Sequence, residues 1–158
     1  MMQSFDHDLN IKLVIIGDGP EAESLKTKVE SMDLNEKVFL VGRQKREDVL
    51  RYLCSADVFV LNTYFESFSF QTVEAMKAGL PVVITRTGSL PELIDHGKNG
   101  YLVKPGDIND IMEKILKIKN NPDLRRSLSE FSQEKSNNFS IERTIKGVEG
   151  KIFKLLKK

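Results

Sequence analysis

Residues 66–74 read ESFSFQTVE and set two carboxylates, Glu66 and Glu74, eight residues apart, just after an apolar run at 56–61 (ADVFVL). Carboxylates accept hydrogen bonds from the vicinal hydroxyls of a sugar. A helix opening between them would offer the N–H groups of Phe70, Gln71 and Thr72, unpaired first-turn donors, to phosphate oxygens. The first carboxylate then falls in the connecting loop and the second about a turn and a half into the helix, so both can face a ligand at the helix N-terminus. A polyhydroxylated, phosphorylated ligand suits such a place. Two glutamates chosen at random are far more often solvated residues of a loop and a helix surface, so the surroundings must decide.

The elements that would position the pair alternate along the chain. Residues 11–16 (IKLVII) predict a strand closed by Gly17-Asp18-Gly19-Pro20, and a helix over 21–32 follows with Ala22, Leu25 and Val29 on one face. Residues 37–41 (KVFLV), stopped by Gly42, predict a second strand, with a helix over 46–54 through Val49, Leu50 and Leu53. A third strand at 58–61 precedes the helix 69–78; a fourth at 81–85 (PVVIT) precedes a short helix near 91–95, and 100–103 (GYLV) closes the series. Continuous Val/Ile/Leu strands, each followed by a helix, predict an α/β domain with a doubly wound parallel sheet, buried on both faces and joined by right-handed crossovers.

After Pro105 only helices are expected. One covers 108–119, with Ile108, Ile111, Met112, Ile115, Leu116 and Lys119 along one side; Pro122 opens another over 123–134; Ser140 would cap a third over 141–156. In the last, Ile141, Ile145, Val148, Ile152, Leu155 and Leu156 form a stripe opposite Lys146, Lys151, Lys154 and Lys157. Such a helix could touch a membrane surface, although a core-covering helix with a solvated lysine face is the stronger expectation.

Composition bounds the rest. With 158 residues, 40% hydrophobic and 30% charged, the chain suits a single globular domain over 1–158, its α/β core at 11–107 and closing helices at 108–158. The balance of 24 basic against 23 acidic side chains gives a formal net charge of +1, hence no overall field to draw in nucleic acid or an anionic membrane. A lone cysteine, Cys54, reads as a core thiol at the buried side of a helix end and fits a reducing cytoplasm. There is neither a secretory leader pattern nor a run of 18 apolar residues.

In open α/β sheets ligands sit beyond the carboxyl ends of the strands, and four polar or glycine-rich loops fall there: 17–20, Gly42-Arg43-Gln44, 62–69 and Arg86-Thr87-Gly88-Ser89. The GDGP turn resembles the start of a dinucleotide fingerprint, but Ala22 replaces its third glycine, so a nicotinamide cofactor is discounted. One cysteine and the distant His7 and His96 make no zinc site, and no DxD element occupies a suitable loop.

The succession IIGDGPEAESL, VFLVGR and SADVFVLNTYFESFSFQTVEAMKAGLPVVITRTGSLPELIDHGKNGYLVKPGD, covering 11–107 in order, resembles the carboxyl-terminal, donor-binding half of the retaining GT-B glycosyltransferases, the "glycosyl transferases group 1" family. The combination of the two spaced glutamates with EAMKAGLPVV is what makes the likeness specific. The resemblance implies that Glu74 holds the ribose hydroxyls of a nucleoside diphosphate sugar and that Glu66, the catalytic candidate, stands near the donor sugar. It implies that backbone groups of Ser67, Phe68 and Ser69 border the sugar and those of Phe70, Gln71 and Thr72 the diphosphate. Gly17 joins this donor-binding set at its own rim loop, and Gly42, Arg43 and Gln44 would meet the base. No cofactor or metal is implied.

Three departures matter. Ser67 and Ser69 stand where the family commonly has glycine, which narrows the room for a close backbone approach. The family's first strand, with its arginine and lysine that clamp the diphosphate, has no counterpart, since 1–10 is too short for it. The amino-terminal acceptor domain, with its usual histidine, is also missing; His7 and His96 match no such position and are expected in surface loops, while Arg86, near the rim, could partly stand in for the missing cations, although an exposed structural arginine is the stronger expectation.

The chain is therefore expected to be a fragment, inactive alone. A missing central strand would leave unpaired edges and favour self-association. The expected partners are a nucleotide-sugar donor and, through the missing domain, an acceptor glycan, lipid or other hydroxyl compound. The setting is cytoplasmic, with peripheral contact at the membrane's cytoplasmic face open. The competing expectation is a non-catalytic nucleotide-binding or partner-docking module derived from such an enzyme.

Overall fold

The computed structural model describes residues 10–139 and 149, so the expected helix over 141–156, apart from residue 149, and the first nine residues, with His7, lie outside the described residues. The chain divides into two units, residues 1–49 and 50–158, with the boundary inside one helix.

In the first unit β1 (Leu13–Ile15) pairs in parallel with β2 (Val38–Leu40), Leu13 opposite Val38, and α1 (Ala22–Ser31) makes the crossover between them. These strands are shorter than their apolar runs. They are also not buried on both faces, with Leu13 and Val14 more than two-fifths exposed. A two-stranded sheet covered by one short helix has too little apolar surface around it to bury either strand. Among the described residues β1 pairs with β2 alone.

The boundary helix is α2 (Arg46–Ser55). It buries Leu53, whereas Cys54 is exposed, which corrects the expectation of a core thiol. Neighbouring positions on a helix lie about 100° apart, so Leu53 takes the inward place and Cys54 turns out.

The second unit carries the core. Strands β3 (Phe59–Leu61), β4 (Val82–Thr85) and β5 (Gly100–Val103) form a parallel sheet in that order, with Val60 opposite Val83 and Val83 opposite Tyr101. Helices α3 (Phe70–Lys77) and α4 (Leu90–Leu93) link its strands, and α5 (Ile108–Lys119) and α6 (Pro122–Ser136) follow, ending in a short 3₁₀ turn at Asn137–Phe139. β4 lies between two strands and every residue of β4 and β5 is buried, as expected for a parallel sheet covered on both faces. Because side chains alternate across a strand, Val83, Tyr101 and Val103 share one face, where they pack with Ile111, Ile118 and Leu128.

Thus α5 turns Ile111 and Ile118 inward, and Ile108, expected on that stripe, is 64% exposed at the helix start. Asp107 caps α5 by accepting from Asp110 N–H at 3.0 Å, and Asn121 caps α6 by accepting from Leu124 N–H at 3.0 Å. His96 is exposed as expected, yet its Nδ1 accepts the Leu102 N–H at 3.1 Å and its ring stands edge-on to Tyr101.

Candidate nucleotide-sugar site

The site begins where β3 ends. Among the described residues two side chains from other segments, Thr85 and Thr87, and one of the loop's own, Asn62, tie down the loop that leaves it. Thr85, buried at the end of β4, donates through Oγ1 to the Thr63 carbonyl at 2.8 Å and accepts the Thr63 N–H at 3.1 Å. Thr87 Oγ1 donates to the Tyr64 carbonyl at 3.0 Å, and Asn62 Oδ1 accepts the Gly106 N–H at 3.2 Å from the loop after β5. Gly106, at φ 77°, leaves space for the Tyr64 hydroxyl that any Cβ would occupy. The loop carrying Glu66 is therefore pinned to the carboxyl end of β4 and to the loops after β4 and β5.

Beyond it, Ser69 starts α3. Its Oγ accepts the Thr72 N–H at 3.2 Å and lies 2.9 Å from Thr72 Oγ1, with both residues fully buried. This corrects one expected donor: Thr72 N–H is satisfied by the cap, because a serine three residues ahead reaches it. The N–H groups of Phe70 and Gln71 have no acceptor among the described residues and remain open at the helix N-terminus.

Helical geometry then sorts the rest. Thr72, Val73, Ala75 and Met76 face the core, leaving Phe70, Gln71 and partly exposed Glu74 on the outer side, with Glu74 four residues beyond Phe70 and three beyond Gln71. Glu74 shares a face with the two open donors. Glu66 is partly exposed, Ser67 exposed, and Phe68 contacts the Phe70 ring edge-on at 5.0 Å. Tyr64, Phe65 and Phe70 are 77, 82 and 71% exposed.

The remaining expected residues lie in the first unit. Gly17 N–H donates to the Gly42 carbonyl at 2.9 Å, joining the ends of β1 and β2. Arg43 pairs with Asp18 through Nε at 3.3 Å, both well exposed, and Gln44 donates through Nε2 to the Val41 carbonyl. Gly17, Gly42, Arg43 and Gln44 thus form one cluster, and Glu66 to Thr72 with Glu74 form another on the second unit. Arg86 is exposed at the end of β4, where its N–H donates to the Val103 carbonyl at 2.7 Å. Among the described residues no group of three or more His, Cys, Asp or Glu could hold a metal ion.

Sequence reasoning passed over Thr85, Asn62 and Gly106 as site builders. One signal was present: Thr85 is the polar end of an otherwise apolar strand, and a buried hydroxyl needs a partner.

The chain as a whole is similar to known proteins. The chain is 32% identical over 127 residues to an N-acetyl-alpha-D-glucosaminyl L-malate synthase from Bacillus anthracis, covering 80% of this chain and 33% of that protein. Its fold superposes on sucrose-phosphate synthase from Thermosynechococcus elongatus with a TM-score of 0.79 at 26% identity, covering 92% of this chain and 38% of the other. It superposes on Anabaena HepE in complex with UDP-glucose with a TM-score of 0.81 at 23% identity, covering 90% and 41%. The chain spans about a third to two-fifths of the length of these relatives. The sequence model of the family described as glycosyl transferases group 1 matches residues 2–135, and with a fold of parallel strands and crossover helices shared with GT-B glycosyltransferases, the chain belongs to that family.

Proposed function

We propose that this chain is the donor-binding part of a retaining glycosyltransferase, which moves a sugar from a nucleoside diphosphate to an acceptor hydroxyl with its anomeric configuration kept. The carrying observation is the start of α3, where the unpaired N–H groups of Phe70 and Gln71 share a helix face with Glu74. Open N–H groups and the helix dipole suit a diphosphate, and a carboxylate one turn along suits ribose hydroxyls. In this reading Glu66, at the loop before the helix, meets the sugar. The leaving diphosphate is stabilised electrostatically by backbone donors and cations, with no metal or cofactor required.

Titrating the purified chain with uridine, guanosine and adenosine diphosphates and their sugars tests the reading. One base is expected to bind, and failure of every one at concentrations up to about 1 mM, roughly 4 kcal/mol of binding, would remove it. Within the full-length protein, Glu66→Ala is expected to act mainly on turnover.

The chain alone is expected to transfer no sugar. It spans only about a third to two-fifths of the length of the relatives it matches. The competing, second reading is a non-catalytic nucleotide-binding or partner-docking module. A radiolabelled transfer assay compares the 158 residues with the full-length protein. Transfer by the chain alone refutes the expectation of inactivity, and transfer by neither favours the second reading.

A further inference from the structure

Glu66 is approached from one direction that its role as a sugar contact does not explain. The turn after β4 passes Gly88 against the Glu66 backbone, where a Cβ would collide with the Glu66 carbonyl oxygen and stand 2.8 Å from its carbonyl carbon. Real Cβ atoms do not come that close to backbone. Gly88 also has a φ of 51°, in the left-handed region. The ties at Asn62, Thr63 and Tyr64 all precede Glu66. Gly88 is thus the support that meets Glu66 itself, before Ser69 begins the helix.

We propose that Gly88 is a positioning residue for Glu66: its missing side chain sets how deeply the Glu66 backbone settles on the turn after β4, and so where the carboxylate stands against the donor sugar. A larger residue lifts Glu66 off the turn. The core beneath α3 and the Ser69 cap stay in place, so the nucleotide face of α3 is left as it is. The effect on the sugar rests on the reading of Glu66 given above; the effect on the position of Glu66 does not.

The test separates contact from strain. Gly97, at φ 81°, has no heavy atom within 4 Å of a built Cβ, so Gly97→Ala carries the backbone strain without a collision. Gly88→Asn does the reverse, since asparagine tolerates the left-handed region but brings a Cβ. Calorimetry with UDP and UDP-glucose measures how much the sugar adds to affinity. Gly88→Ala and Gly88→Asn are expected to lower that ratio by about tenfold, the loss of roughly one charge-assisted hydrogen bond, with UDP affinity held within about twofold. Glu66→Gln should lower it similarly and Gly97→Ala should not. A ratio unchanged in both Gly88 variants but lowered in Glu66→Gln, or an equal loss for both ligands, overturns the proposal.

A ligand-free readout keeps the two ideas apart. In amide NMR spectra the Glu66 and Ser67 resonances should move in the Gly88 variants and stay put in Gly97→Ala. If they do not move, Gly88 does not position Glu66. If they move while Glu66→Gln leaves the ratio intact, or while neither ligand binds, Gly88 still positions Glu66 and it is the sugar-contact reading that fails.

Discussion

Glu74→Ala lowers the affinity of the chain for its nucleoside diphosphate by about ten- to a hundredfold. A hydrogen bond to a charged group is worth roughly 1.5 to 3 kcal/mol, and each 1.4 kcal/mol is tenfold in binding. The side chain is partly exposed on the same face of α3 as the open donors of Phe70 and Gln71, where a bound nucleotide would leave its carboxylate little water to fall back on. Isothermal calorimetry of wild type and variant measures the change, with the thermal midpoint of each recorded to separate lost binding from lost fold. Unchanged affinity in a folded variant would show that the carboxylate does not hold the ribose.

Met76→Ala destabilises the second unit by about 2 to 5 kcal/mol, through the lost transfer of the side chain and the cavity left behind. Met76 is fully buried on α3 beside Ala75, Thr72 and Val73, in a helix that packs on β3, β4 and α6. Collapse around the gap is restricted, because the buried strand β4 lies between two hydrogen-bonded neighbours. Urea unfolding should show a lower midpoint with an unchanged slope, the signature of altered stability rather than altered compactness. A loss below about 1 kcal/mol would mean that α3 yields at this position, and then the first-turn donors it carries would not be rigidly presented.

Much of this protein is determined by local sequence. Apolar runs at 13–15, 38–40, 59–61, 82–85 and 100–103 became strands, and the segments between them became helices, because period and punctuation act over a few residues. The start of α3 near Ser69 was also placed from the sequence, but not its cap: the Ser69 hydroxyl takes the Thr72 N–H. The same capping took Thr72 out of the set of open donors, which a count of first-turn N–H groups by position alone does not show.

What the tertiary structure decided is everything that joins residues far apart in the chain. Burial of β4 and β5 but not of β1 follows from how many strands and helices each found as neighbours, and apolar runs of similar composition look alike before those neighbours are known. Cys54 turned outward and Ile118 inward for the same reason: apolar spacing along a helix leaves its inward face open by one position, whereas a packed surface does not. The hold on Glu66 is the clearest case. Thr85 reaches Thr63 across 22 residues, Asn62 reaches Gly106 across 44, and Gly88 presses on Glu66 only because parallel pairing sets the ends of β3, β4 and β5 side by side. The sequence names the two carboxylates, and the sheet register decides what supports the first of them.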